Sequence, residues 1–275
     1  IQVMEEGQSR WLSFSKDEVD LFQLEGELVS QAIKDGKLKP ELVKKGVQLS
    51  RIVDPSIDYH YWNMQNPVVG GMSKEKIALR RAMSMAFSAD NYINILQKGD
   101  AKKLQALIPE GIVGYDPNYR SSIPYSVKAA NLLLDRYHYK VGANGWRTLP
   151  NGKPLVIEMT VSGNSLRSQQ QAEFWKKILD SLKIQMTTQS LPFSEALKLE
   201  KQCKTMFKTS AWIADYPDAD NFMQLFYSKN IHASNNSCTS IPEFDRLYEQ
   251  TQKMAPGPER DALYRKMSRV LEVYM

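Results

Sequence analysis

The stretch TSAWIADYPDADNFMQLFY, Thr209 to Tyr227, decides how this chain is read. It runs apolar, breaks at Asp215, passes two further aspartates and a proline, and turns apolar again at Phe222. With the residues before it, TMFKTSAWIA has the β-branched and aromatic content of a strand, which ends where the Tyr216-Pro217 turn begins. Along such a strand Trp212 and Ala214 face opposite to Ile213 and Asp215. A carboxylate at a partly buried strand end needs a cation or several donors, or its pKa rises. A bound ammonium meets that need for Asp215, and so does an internal Lys or Arg.

Working outward, KPLVIEMTVS places Leu155, Ile157, Met159 and Val161 on one side of a strand. SLRSQQQAEFWKKILDSLK sets Ala172, Trp175, Leu179 and Leu182 on one helical face, IQMTTQ alternates again, and SEALKLEKQ reads as a helix with Ser194 as N-cap. The order is therefore β-α-β-α-β. Strands joined by helices lie parallel with right-handed crossovers. Ligands of such open sheets bind outside the carboxyl ends of the strands, where Asp215 sits.

The remaining segments are predicted to surround this unit. KIALRRAMSMAF buries Leu79, Ala82, Met83, Ala86 and Phe87 on one helical face; further helices start at Ser88 and Ser126. Downstream, Asp220 is placed as the cap of DNFMQLFYS, and two closing helices flank APGP. The early part is mixed: IQVM is strand-like, RWLSFS begins a helix, EGELVSQAIKDG reads as a helix stopped by Gly36, and DYHYWNM is β-prone. The Gly-containing NPVVGGMS is the expected boundary, giving units 1–65 and 66–275.

With 275 residues, 42% hydrophobic and 24% charged, the chain has globular composition and length for one large or two smaller domains. The first part is net acidic and the rest net basic, but the basic residues come in pairs on helices rather than in runs, which speaks against nucleic-acid binding. No eighteen-residue apolar run occurs. IQVMEEGQSR has neither a basic nor an apolar leader region, and the chain starts at Ile1 and stops inside a helical pattern, SRVLEVYM; a fragment is expected. Nucleotide-binding, zinc-protease and serine-hydrolase signatures are absent, and His60, His138 and His232 lie in unlike contexts. Asp215, Asp218 and Asp220 lack the Gly and Glu of a calcium loop; Asp218 and Asp220 suit a turn and a helix N-terminus. Cys203 and Cys238 lack metal-site spacing and read either as buried thiols or, in an oxidising compartment, as one disulfide. No cofactor or metal is called for.

AWIADYPDADNFMQLFY resembles the motif G-W-x-A-D-Y-P-D-P-x-x-F-L of the dipeptide, oligopeptide and nickel class of bacterial extracellular solute-binding proteins. In order along the chain, YWNMQNP with KIALRRAMSMAFSADNYI, LIPEGIVGYDPNY, SVKAANLLLDRYHY, NGKPLVIEMTV and NNSCTSIPEFDRLYEQ through ERDALYRKMSRVL resemble further stretches of that family, from about Trp62 to Leu271. Upstream, SKDEVDLFQL resembles a G-E-v-D-l stretch. Departures are Ala211 for the usual Gly, Ser88-Ala89-Asp90 for Ile-Asp-Arg, and SKEK with GG in the hinge-side segment.

The resemblance implies an α/β lobe of a two-lobed, type II periplasmic-binding-protein-like fold, with a mixed or parallel sheet flanked by helices. Residues 1–65 would be a piece of the first lobe and hinge, and 66–275 the C-terminal ligand-binding lobe. It implies a non-catalytic, monomeric, periplasmic or tethered subunit of an ABC importer that captures a solute between lobes and hands it to a membrane permease. In peptide-binding members the position of Asp215 pairs with the ligand's α-ammonium, a contact of about 1.5–3 kcal/mol. The strand at Ala211 to Ile213 would pair with peptide backbone, and Trp212 would line a side-chain pocket. Thr209 stands where some members place an Arg for the ligand carboxylate; Thr cannot make that ion pair. A nickel- or metal-chelate ligand, for which His232 is the nearby candidate, a sugar-conjugate ligand, and an α/β hydrolase are the alternatives.

Overall fold

The computed structural model describes residues 4, 6–24 and 26–274. In chain order the elements are α1 (Gly7–Ser15), α2 (Val29–Ala32), β1 (Ile33–Lys34), β2 (Lys37–Leu38), α3 (Pro40–Lys44), β3 (Ser56–Trp62), α4 (Lys74–Ala86), α5 (Ala89–Leu96), α6 (Val127–Arg136), β4 (Val156–Ser162), α7 (Leu166–Ser181), β5 (Gln185–Leu191), α8 (Phe193–Lys201), β6 (Phe207–Ile213), α9 (Asp220–Met223), α10 (Pro242–Thr251) and α11 (Pro258–Tyr274). The strand expected at IQVM falls on residues 1–4, of which 1–3 lie outside the described residues.

Contacts divide the chain into two compact units. One holds the described residues up to Ile52 with Ser88–Lys103 and Ser165–Gln171; the other holds Val53–Phe87, Leu104–Asn164 and the chain from Ala172 on. The boundary expected near residue 65 is thus displaced: β3 belongs to the large sheet of the second unit, because it pairs with β6 along its whole length.

In the first unit, the continuous helix expected up to Gly36 is replaced by a short helix and a hairpin, β1 against β2. Asp35 and Gly36 both take positive φ, 50° and 75°, which an Asp-Gly pair accommodates in a two-residue hairpin turn. α5 starts as predicted, with the Ser88 hydroxyl accepting from the Asn91 N–H.

The second unit is built on a mixed sheet in the order β3-β6-β4-β5. β4 and β5 pair in parallel from Val156↔Gln185 to Ser162↔Leu191, and β3 pairs antiparallel with β6 from Ser56↔Ile213 to Trp62↔Phe207. β4 meets β6 in parallel only at Met159↔Phe207 and Thr160↔Lys208. One apolar cluster gathers Leu155, Ile157 and Met159 with Trp175, Leu179, Leu79, Met83 and Phe207. A second gathers Ile57, Phe222, Phe226, Phe244, Tyr264 and Met267. Leu155, Ile157, Met159, Trp175, Leu179, Leu79 and Met83 of the first cluster are positions that strand alternation and helical periodicity select.

Two caps differ from expectation. The N-cap of α8 is Pro192, with Ser194 already inside the helix, because proline's fixed φ suits the chain's entry there. Asp220 is the first residue of α9 rather than its cap; Ala219 holds that position, and the Asp220 N–H donates to Asp218 Oδ1 at 3.2 Å.

Polar ties close the sheet's flank. The Asn63 amide, just past β3, donates to the carbonyls of Cys203 and Thr205 at 2.7 Å each. Lys208 of β6 and Glu200 of α8 form a buried ion pair, and Asn236 Nδ2 donates to Glu200 Oε2 at 2.8 Å. Burying such a pair requires the extra hydrogen bond that Asn236 supplies. Cys203 and Cys238 are joined in a disulfide spanning 35 residues.

Candidate functional site

β6 outruns its cover. Phe207, Thr209, Ala211 and Ile213 share one face, since they alternate with Lys208, Ser210 and Trp212. Phe207 is fully buried in the first cluster, yet Ala211 is exposed and Ile213 is 63% exposed. On the β4 side the ladder stops before these residues end. β4 pairs with β6 no further than Lys208, so from Ser210 to Ile213 the described sheet ladder is with β3 alone. In an antiparallel ladder every second residue directs its N–H and C=O away from its neighbour. An open strand edge with a bare apolar face therefore leads to the turn at Asp215.

Asp215 is exposed at the end of that edge. The side chain that meets it is the neutral amide of Asn221, whose Nδ2 donates to Asp215 Oδ2 at 3.2 Å. The Asn221 Oδ1 accepts from the Asp215 N–H at 3.2 Å and from the Trp212 indole Nε1 at 2.8 Å. Trp212 is half-buried against the second cluster, on the strand face opposite Ala211 and Ile213.

The turn itself is stitched from two sides. Val113 N–H donates to the Pro217 carbonyl at 3.1 Å and the Ala219 N–H to the Val113 carbonyl at 2.9 Å, in a parallel bridge of Val113 with Asp218. Gly114 makes this approach possible: its φ is +96°, and a Cβ there would lie 2.7 Å from the Ala219 Cβ. From α11, Arg260 forms an ion pair with Asp218, whose other oxygen accepts from the Tyr264 hydroxyl at 3.3 Å. Burial raises the Asp220 carboxyl above its ordinary range, the Tyr216 hydroxyl at 3.0 Å lowers it in part, and Asp218 pushes it up again.

Ala211, Ile213 and Asp215 are each exposed, while Trp212 turns to the packed side, where Asn221 links its indole to the Asp215 carboxylate. Thr209 is half-buried and opposite His60 in the ladder. His232 sits at the disulfide: its Nδ1, as donor, is 2.6 Å from the Lys201 carbonyl and 4.0 Å from Cys203 Sγ. Among the described residues no group of three or more His, Cys, Asp or Glu is arranged to hold a metal ion. Sequence reasoning missed Asn221, Gly114 and Arg260. An amide six residues after a strand-end carboxylate, at a helix start, was the available signal for the first; Arg260 carried none, because it is 42 residues from its partner.

A family model described as bacterial extracellular solute-binding proteins, family 5 Middle, matches residues 1–234. The oligopeptide-binding protein OppA of Bacillus subtilis is 23% identical over 194 residues, which cover 70% of this chain and 34% of that protein. Among solved structures, the periplasmic binding protein DppA of Helicobacter pylori in complex with the peptide STSA superposes with a TM-score of 0.76 at 23% identity, over 99% of this chain and 48% of that one. NikZ of Campylobacter jejuni in complex with Ni(L-His) does so with a TM-score of 0.79 at 13% identity, over 99% of this chain and 52% of that one. The chain spans about a third of the length of the curated relative and about half that of the solved structures. These likenesses establish the shared fold.

Proposed function

The chain belongs to the bacterial extracellular solute-binding proteins of family 5, and from that premise we propose that it captures a peptide, pairing its backbone with β6 and its α-ammonium with Asp215. The observation that carries this reading is the open edge from Ser210 to Ile213, which ends at an exposed carboxylate. An extended peptide laid along that edge continues the sheet, and main-chain hydrogen bonds are indifferent to its side chains. Ala211 and Ile213 offer apolar contact beside it. The relative's name, oligopeptide-binding, and the peptide held by the DppA structure support the same ligand class.

In this reading the unit built on the β3-β6-β4-β5 sheet carries the ligand-binding face of the C-terminal lobe, and the opposing wall of the cleft belongs to the longer whole protein. That protein is a monomeric periplasmic or tethered subunit that delivers peptide to an ABC permease, without catalysis or a cofactor. No helix among the described residues is long and apolar enough to cross a membrane.

The test is calorimetric titration of the full-length protein with di- to pentapeptides, alongside Asp215→Ala. Wild type is expected to bind, and the variant to bind about ten- to a hundredfold more weakly, the worth of one charge-assisted, desolvated contact. Silence from both proteins overturns the peptide reading. Equal binding by both returns Asp215 to a structural role, and peptide turnover overturns the non-catalytic reading.

A further inference from the structure

Asn221 has no exposed surface, although it lies at the start of the one-turn helix α9 beside the exposed Asp215. Its orientation is dictated by its neighbours. The Trp212 indole N–H and the Asp215 backbone N–H are donors only, so the atom they converge on at 2.8 and 3.2 Å must be the amide oxygen. The amide nitrogen is thereby aimed at Asp215 Oδ2, 3.2 Å away. A single buried side chain thus grips the anchor's backbone and carboxylate while bracing itself on the strand.

The neighbouring aspartate is treated differently. Asp218 takes an internal cation, Arg260, and its charge is matched inside the protein. Among the described residues the side chain that meets Asp215 is a neutral donor, which orients one carboxylate oxygen without neutralising it.

We infer that Asn221 is the positioning residue of the Asp215 anchor: it holds the carboxylate in place for a ligand's ammonium without neutralising it. This rests on the peptide reading above. The effect is one of preorganisation, because a carboxylate free to choose among rotamers is ordered at the ligand's expense.

The test compares a tetrapeptide bearing a free α-amine with its N-acetylated form, on the full-length protein. Wild type is expected to prefer the free amine at least tenfold. Asn221→Ala is expected to lose most of that preference, and Asn221→Ala/Asp215→Ala to show no loss beyond that of Asp215→Ala alone. A merely structural asparagine would weaken both peptides alike and add its effect to that of Asp215→Ala. Retention of the wild-type preference by folded Asn221→Ala overturns the positioning role and leaves the peptide reading intact. No preference in wild type overturns both. Amide hydrogen exchange of wild type needs no variant: protection of the Asp215 N–H supports the inference, and exchange at the rate of an unbonded loop amide overturns it even where Asn221→Ala fails to fold.

Discussion

His60 shows how strongly one residue's surroundings set its chemistry. Its ring centroid lies 4.7 Å from that of Phe87 and 4.9 Å from that of Trp175, and burial pushes its pKa down from 6.5 to about 3. The unfolded chain takes up a proton near pH 6.5 and the folded chain does not until about pH 3. Stability from this group is therefore complete above pH 6.5 and is lost as the pH falls through that window, by up to about 1.4 kcal/mol per unit. His60→Asn, neutral throughout, is expected to lose up to about 2 kcal/mol less than wild type between pH 7 and pH 5. Urea-unfolding midpoints at the two values measure this; equal losses would show that the fold leaves the His60 imidazole with the proton affinity it has in the unfolded chain. The sequence singled out His60 only as one of three unlike histidines. Its ring cage comes from residues far along the chain, so local pattern could not reveal it.

At the scale of elements, the β6 turn depends on a segment that reads as irregular coil. LIPEGIVGYDPNY was legible as a break, and its resemblance to a family stretch was legible too, but its purpose appears only where Val113 pairs across to Asp218. Gly114→Ala is expected to destabilise the protein by about 2 kcal/mol, combining backbone strain at positive φ with the Ala219 contact. Gly111 offers the internal control: its φ is +88° but no atom lies within 4 Å of where an added methyl would sit, so Gly111→Ala carries the strain alone. Thermal unfolding of both variants separates the two effects; equal destabilisation would show that the turn yields to the added methyl. Elements with strong periodicity, such as α4, α7 and β4, stand where alternation and helical spacing put them. EGELVSQAIKDG, read as a helix stopped by Gly36, keeps only the short helix Val29–Ala32 before the hairpin, because an Asp-Gly turn outcompetes a weak helix.

For the molecule as a whole, the disulfide is the covalent closure around β6. Joining residues 35 apart, it removes loop entropy from the unfolded chain worth about 4 kcal/mol in the chain-entropy model. Reductant is expected to lower the unfolding midpoint of wild type, and Cys203→Ser/Cys238→Ser to unfold at that lower midpoint with no response to reductant. Mass spectrometry with and without reductant checks the bond itself; a thiol-labelled native protein would refute it. The amino-acid sequence by itself determined the β-α-β-α-β order, the parallel pairing that follows from it and the location of Asp215 at a strand's carboxyl end, because these depend on periodicity and turn chemistry among near neighbours. Only the tertiary structure decided that β6 outruns β4 at Lys208, that Trp212 turns to the packed face, and that Arg260 matches Asp218 while Asn221 is left to hold Asp215. Those outcomes depend on which distant side chains reach the same few ångströms, and spacing along a chain carries no record of that.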